Sequence, residues 1–514
     1  MGKKNIKAFI VQEQPISSVK NKSTIKEENL YQFIFKNKEN KVLLYWGLLI
    51  GLISFIVLRN VFPKPSFYYD SFTYIQAAKT NEQISYRPIE YSRIIQFFHD
   101  ITVSDFALIF SQYFSNIISN LFLFFSLTFF FKLNKMPRII LFLLLTINPI
   151  YAIYSNYVLS DSFFCSITVA FFTTLLFTIR KPQWWQAAIQ IVLLLLLFKL
   201  RYNAIIFPFF IAFAVILSKQ SIIRKSIWII SSIVCLIMLV TKITDTNDEL
   251  TGVRTFSPFA GWQLANNVMH IVAHDYKNID STTLSDESRE LYSFLKRYYD
   301  TITPKYSIYS GTEVSASFMW NKNSPLKQYI NPYAFKNGIQ QYFIAWNMLG
   351  PVYNKFGQEI IMQKPIDYCK YFVAPNIHDY FLPSMEAYTL YNENKDTLEP
   401  VAKEYFQYSS NKIDLSGAKY YPALVHSWYY LFPVINIALL ILTIFFFVAK
   451  IYKENSRFFN LSLAMFMFIY WANFFFVVGL APTVFRYHVF IVTLSVAYIV
   501  YLIQQIAAYY TKKE

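Results

Sequence analysis

The sequence predicts a mainly α-helical, polytopic membrane protein of about ten transmembrane helices, with an amphipathic first outer loop and a sizeable extracytoplasmic domain. Three observations carry that prediction. Hydrophobic residues fill 55% of the 514 positions and charged residues only 15%, against about 45–50% and about 25% in soluble domains. The apolar residues gather in uninterrupted blocks such as ALIFSQYFSNIISNLFLFFSLTFFF and AAIQIVLLLLLF, close to the roughly 20 residues a helix needs to cross a bilayer. Finally, the connections between alternate blocks are basic. A purely soluble protein is excluded.

Taken in order, spans are expected at 42–62, 105–131, 138–154, 161–179, 186–200, 203–218, 226–242, 426–449, 457–480 and 485–509. The third, fifth and sixth are short. With the N-terminal tail (1–41) inside, the inward connections carry Lys132, Lys135 and Arg138, then Arg180 and Lys181, then Lys219, Arg224 and Lys225. Lys450, Lys453 and Arg457 follow, and Lys512 and Lys513 close the chain. This agrees with the positive-inside rule and places both termini in the cytoplasm. The net charge of +16 is thereby spent on orientation, so nucleic acid is not expected as a partner. The opening MGKKNIKAFIVQEQP lacks the apolar stretch of a cleavable signal peptide. Its sixth residue is Ile where a myristoylation start has Ser or Thr. The tail reads as solvated and basic.

The domain plan is therefore a tail, an N-terminal transmembrane module (42–242) containing the first outer loop (63–104), an extracytoplasmic domain (243–425) and C-terminal transmembrane helices (426–514). Short amphipathic segments in the first loop suit helices lying on the membrane surface. The 243–425 segment reads as mixed helix and irregular structure. Cys165 and Cys235 lie in apolar blocks and Cys369 stands alone, so no disulfide framework is expected. There is no GxxxxGK[ST] or GxGxxG phosphate loop. His270 and His274, four apart beside Asp275, could align on one helical turn as zinc or manganese ligands. An ordinary helix is the simpler reading of that pair.

The informative residues are charges at the outer ends of spans. Asp70, in Tyr68-Tyr69-Asp70-Ser71, and Asp161, in NYVLSDSFF, each read singly as a helix N-cap. Together they place two carboxylates on one side of the membrane. Lys199, Arg201 and Arg486 sit on the same side, against the positive-inside trend. As a bland reading they are interfacial anchors, yet Arg also grips phosphate bidentately. Carboxylates and guanidinium groups converging at an outer surface suit transfer of a sugar from a lipid phosphate. The carboxylate would take the acceptor proton and the cations would hold the leaving phosphate.

In this the chain resembles the polytopic GT-C glycosyltransferases, which include protein mannosyltransferases and other users of polyprenyl-phosphate sugars. DSFTY followed by AA looks like the family's first-loop acidic motif, which implies Asp70 as catalytic base. YRPIEYS resembles its Arg-Pro-x-x-Tyr continuation, giving Arg87, Pro88 and Tyr91. NYVLSDSFF is similar to the second-loop acidic motif, with Asp161 positioning acceptor, base or metal. LRYNAIIFP and VFRYHVF look like segments whose arginines, here Arg201 and Arg486, lie near the donor phosphate. The resemblance implies Arg201, Arg486 and Arg87 as donor-phosphate ligands, with Tyr74, Tyr91, Tyr487 and Lys199 as substrate contacts. Many relatives carry two adjacent acidic residues in the first loop. Here Ser71 follows Asp70, so a divalent-metal requirement (Mg or Mn) stays open and no metal ligands are assigned. The expected partners are a polyprenyl-phosphate-linked sugar, a glycan, lipid or protein acceptor, and the bilayer. The site would lie on the outer face of the cytoplasmic membrane. Two rivals are a lipid-linked glycan polymerase or ligase, and a non-catalytic scaffold or transporter of the cell envelope. The first would rely on outer Arg or His rather than an early loop Asp. Of the second, a transporter should show mid-span charges or paired broken helices, while a scaffold could keep the fold and tolerate loss of Asp70.

Overall fold

A computed structural model describes residues 29–301 and 314–512. The MGKKNI start, Lys513 and most of the YSIYSGTEVSAS piece lie outside the described residues. Among them the chain is helical throughout, with only three isolated β-bridges and no named strand. Eight helices are long and apolar enough to cross a membrane.

The chain opens with α1 (Leu30–Phe35) and α2 (Lys38–Val61), then two helices of the first loop, α3 (Tyr69–Lys79) and α4 (Glu90–Ile101). The next spans are α5 (Phe106–Phe130), the broken pair α6 (Lys135–Thr146) and α7 (Pro149–Ser155), and α8 (Asp161–Arg180). The break has a local cause. Pro149 has no N–H to continue the helix, and the Asn148 side chain caps the new one by accepting from Ile150 N at 3.0 Å. Two shorter apolar helices follow, α9 (Trp184–Leu200) and α10 (Phe207–Leu217), before the long α11 (Ile222–Thr251). The 11 residues of α10 rise only about 17 Å at ~1.5 Å each, well short of a ~30 Å hydrocarbon core. The 17 residues of α9 rise about 26 Å, also short of that core, so the ten apolar blocks give eight full-length spans. The sequence also underestimates α11, which runs nine residues past the expected end at 242.

Beyond α11 the chain forms α12 (Pro258–Asp275), α13 (Asp286–Thr301), α14 (Ser317–Trp320), α15 (Pro325–Lys336) and α16 (Tyr342–Gln363). These bury their own core around Trp262, Trp346, Tyr353, Leu291 and Phe372. The buried residues of 243–425 fall in two clusters. After α17 (Pro365–Tyr368), the helices α18 (Ala374–Phe381) and α19 (Pro400–Tyr405) place Tyr380, Tyr388, Tyr391 and Leu398 in the core of the transmembrane bundle instead. Alternating polar and aromatic residues in 374–425 hid this, because those rings pack between helix ends rather than into a separate globule. The chain ends with α20 (Tyr421–Val448), α21 (Arg457–Leu480) and α22 (Val489–Thr511).

Candidate active site

The first loop is fastened to the bundle by its backbone. Ser66 N donates to Asn156 O at 2.8 Å, and Val158 N donates to Ser66 O at 3.3 Å. α3 then starts on Tyr69, with the Tyr68 N–H donating to Ser71 Oγ at 2.9 Å. Ser71 thus does the capping that the sequence offers to Asp70, and the Asp70 carboxylate points elsewhere. It accepts from Arg87 Nη2 at 2.7 Å on one oxygen and from Arg486 Nη1 at 3.1 Å on the other. Asp161 is likewise not the cap of α8, since Ser160 occupies that position. Its carboxylate is buried and bonded to the Arg201 guanidinium.

These four segments are held by buried polar bonds. Gln112 on α5 donates to Ser155 O at 2.7 Å and Tyr157 O at 2.9 Å, fixing the approach to Asp161. Tyr91 donates to Gln112 Oε1 at 2.5 Å, while its ring packs edge-on against Tyr74 at 4.9 Å. The turn that carries Arg486 is braced from 376–384: Thr483 N donates to Asn376 Oδ1 at 3.1 Å, and Phe485 N donates to Ser384 O at 2.9 Å. Tyr154 Oη donates to Arg486 O at 2.9 Å.

The result is one cavity of about 410 Å³, lined by Asp70, Asp161, Arg87, Arg201 and Arg486, within the ~300–1,000 Å³ usual for small-molecule sites. Tyr74 and Tyr487 also line it. The Tyr487 ring supports two of the cations, lying 5.0 Å from Arg201 and 5.6 Å from Arg486. Two expected contacts do not reach it. Tyr91 is fully buried behind Tyr74, because its hydroxyl is spent on Gln112. Lys199 pairs with Glu90 at 3.3 Å and faces an adjoining cavity of about 240 Å³ instead.

The sequence also missed several lining residues. Tyr86, Tyr202, Phe256, Phe259 and Gln263 line the main cavity, and the apolar wall is Leu200, Ile205, Phe476, Val477 and Leu480. Tyr86, one residue before Arg87, and Tyr202, one residue after Arg201, carried a local signal. A buried pair of Arg59 and Asp105 at 2.7 Å, joining the end of α2 to the start of α5, was missed as well.

Burial pushes the Asp70 carboxyl up, but the Arg87 and Arg486 guanidinium groups beside it outweigh burial and hold it below its ordinary range. Three guanidinium groups against two carboxylates leave one net positive charge at the cavity (3 − 2 = +1). Such a set favours an anion, and both carboxylates are paired with arginines. Among the described residues no group of three or more His, Cys, Asp or Glu side chains could hold a metal ion. His270 is buried against the rings of Phe318 and Phe372, and His274 stacks on Tyr371 at 4.3 Å. The pair is part of the packing of α12, so the metal reading of that spacing is set aside. No family model, curated protein or solved structure matches this chain.

Proposed function

We propose that this protein is a membrane glycosyltransferase that moves a sugar from a polyprenyl-phosphate donor to an extracytoplasmic acceptor, with inversion at the anomeric carbon. The observation that carries this reading is the convergence of Asp70, Asp161, Arg87, Arg201 and Arg486 on one part-apolar cavity. In this reading the two short apolar helices belong to a ten-span topology with both termini cytoplasmic. The cavity opens at the extracytoplasmic face of the cytoplasmic membrane.

The donor phosphate enters the excess of guanidinium charge, and the apolar wall accepts the first units of the lipid. Arg87 and Arg486 are then shared between phosphate and Asp70, which restores basicity to a carboxylate they otherwise depress. The acceptor hydroxyl gives its proton to Asp70 as its oxygen bonds to the anomeric carbon. The bond from that carbon to the phosphate oxygen breaks, and the phosphate leaves with the electron pair. Arg201 and Arg486 stabilise the charge that builds on it. Asp161 keeps the buried Arg201 aimed at the cavity.

The test uses the purified chain in nanodiscs with a panel of radiolabelled polyprenyl-phosphate sugars, following transfer and slow release of free sugar. Wild type is expected to turn over one donor, and Asp70→Asn to bind it with turnover reduced about 10²–10⁴-fold. Equal turnover in the two proteins would remove Asp70 as the base. No donor bound or turned over by wild type would favour a scaffold.

A further inference from the structure

Next to the candidate active site lies an ammonium group that nothing in the mechanism uses. Lys327, in the first turn of α15, is partly buried and pairs with no carboxylate among the described residues. Its Nζ lies 4.9 Å from the Trp262 ring centroid, 5.4 Å from that of Trp320 and 5.7 Å from that of Tyr342, and its one hydrogen bond donates to Tyr342 Oη at 3.4 Å. Burial lowers this ammonium to about 8, so it stays charged at neutral pH. The position is built rather than incidental. Ser324 caps α15, Tyr353 Oη donates to Leu326 O at 2.6 Å, and Trp346 stacks behind Trp262 at 5.4 Å.

Two of the rings around Lys327 are open to solvent: Trp320 is 39% exposed and Tyr342 48%. Trp320 also links this place to the catalytic side chains. Its ring lies 5.2 Å from the guanidinium carbon of Arg87, the same group that grips Asp70, and 6.0 Å from Phe259 of the cavity wall. A half-exposed aromatic face stacks well on the apolar face of a pyranose ring. A desolvated ammonium beside it wants an anion, and Coulomb attraction there is strengthened by the low local dielectric.

We propose that Trp320, Lys327 and Tyr342 form an acceptor subsite for a sugar unit bearing an acidic group, a carboxylate or a phosphate. The proposal rests on the glycosyl-transfer reading for its place in the reaction. The acid pairs with Lys327 while the sugar ring stacks on Trp320, which leads the rest of the acceptor past Arg87 toward Asp70.

The experiment is equilibrium binding to the full chain in nanodiscs. The probes are a hexuronic-acid tetramer, a sugar-phosphate oligomer and a neutral hexose tetramer of matched length. At least one acidic oligomer is expected to bind more tightly than the neutral one, and which of the two does so identifies the acid. Lys327→Met, which keeps the length of the side chain, should weaken that binding about tenfold or more and erase the preference. Trp320→Ala should weaken binding of acidic and neutral oligomers alike. Lys327→Arg should retain the preference, separating charge from misfolding. Equal binding of acidic and neutral oligomers, no binding of either, or a preference unchanged in Lys327→Met would overturn the proposal. Binding needs no turnover. A preference found in a protein whose Asp70→Asn variant matches wild type would therefore leave this subsite standing while the transferase reading failed.

Discussion

Asp161 is 2% exposed and Arg201 14% at the side-chain level, so neither charge has water to fall back on. Breaking such a pair strands the survivor, and removing one partner of a buried ion pair costs roughly 3–5 kcal/mol. Asp161→Ala is accordingly expected to lower the thermal midpoint in detergent far more than Lys79→Ala, whose partner Glu404 is 61% exposed. Equal midpoints would mean that Arg201 finds solvent or another partner. At Asp70 the effect to look for is in the pH profile. The two arginines depress this carboxyl, so it stays ionised as pH falls into the ordinary Asp range near 3.9, and under the proposed mechanism it stays able to take the acceptor proton there. Replacing Arg486 with Met removes one of them. The acid limb of kcat/KM, which reports the free enzyme, should then move to higher pH, and an unmoved limb would detach Arg486 from Asp70. Asp70, Asp161, Arg201 and Arg486 were legible in the sequence as charges converging at the outer ends of apolar blocks, and Arg87 through its place in YRPIEYS. The lining rings Phe256 and Phe259 were not. In a chain with 52 Phe and 40 Tyr, one aromatic residue carries no signal until the fold places it.

At the scale of elements, the tightest contact is between α12 and α16. A Cβ built on Gly261 would sit 1.8 Å from the carbonyl oxygen of Gly350, and one on Gly350 would sit 2.6 Å from the Cα of Pro258. Backbone cannot step aside as a side chain can, so Gly261→Ala should cost more than the ~1–3 kcal/mol of ordinary overpacking. Hydrogen exchange should rise across 258–363 and stay unchanged in α5 and α8. On the same α12, His270 is buried against Phe318 and Phe372, and burial lowers it to about 4 from an ordinary value near 6.5. The folded state keeps this imidazole neutral while the unfolded chain protonates it. The stabilisation is therefore complete above pH 6.5 and is lost as pH falls toward 4, by about 3 kcal/mol in all. Exchange protection in this unit should fall over that window in wild type and fall less in His270→Leu. Helix positions were readable from apolar length, though the expected span at 138–154 ran straight across the α6–α7 break at Pro149. The allegiance of 374–405 was not, because it depends on which distant helix ends its rings meet.

For the whole molecule, sidedness rests on basic connections, and Cys369 offers a direct check. It is exposed, whereas Cys165 is buried. In the ten-span topology a membrane-impermeant maleimide should label Cys369 in right-side-out vesicles without permeabilisation, and labelling only after lysis would invert the orientation. The hydrophobic pattern along the chain gave the number and order of the apolar blocks. It could not tell a full crossing from an 11-residue helix such as α10, since a short apolar block satisfies the same composition whether it spans or only docks.

The clasp on Asp70 also bears on how the protein is made. Arg87 is 17 residues from Asp70 along the chain, but Arg486 is 416 away and lies just ahead of the last helix. Helix α3 and its carboxylate leave the ribosome early, whereas the second guanidinium emerges among the final residues. Chains are built N-terminus first at about 5–20 residues per second, so a nascent chain carries its first-loop carboxylate for tens of seconds before the cavity can close. During that interval an immature copy has neither the full set of cavity cations nor a restrained Asp70. The clasp closes only when α22 and the turn before it are in place.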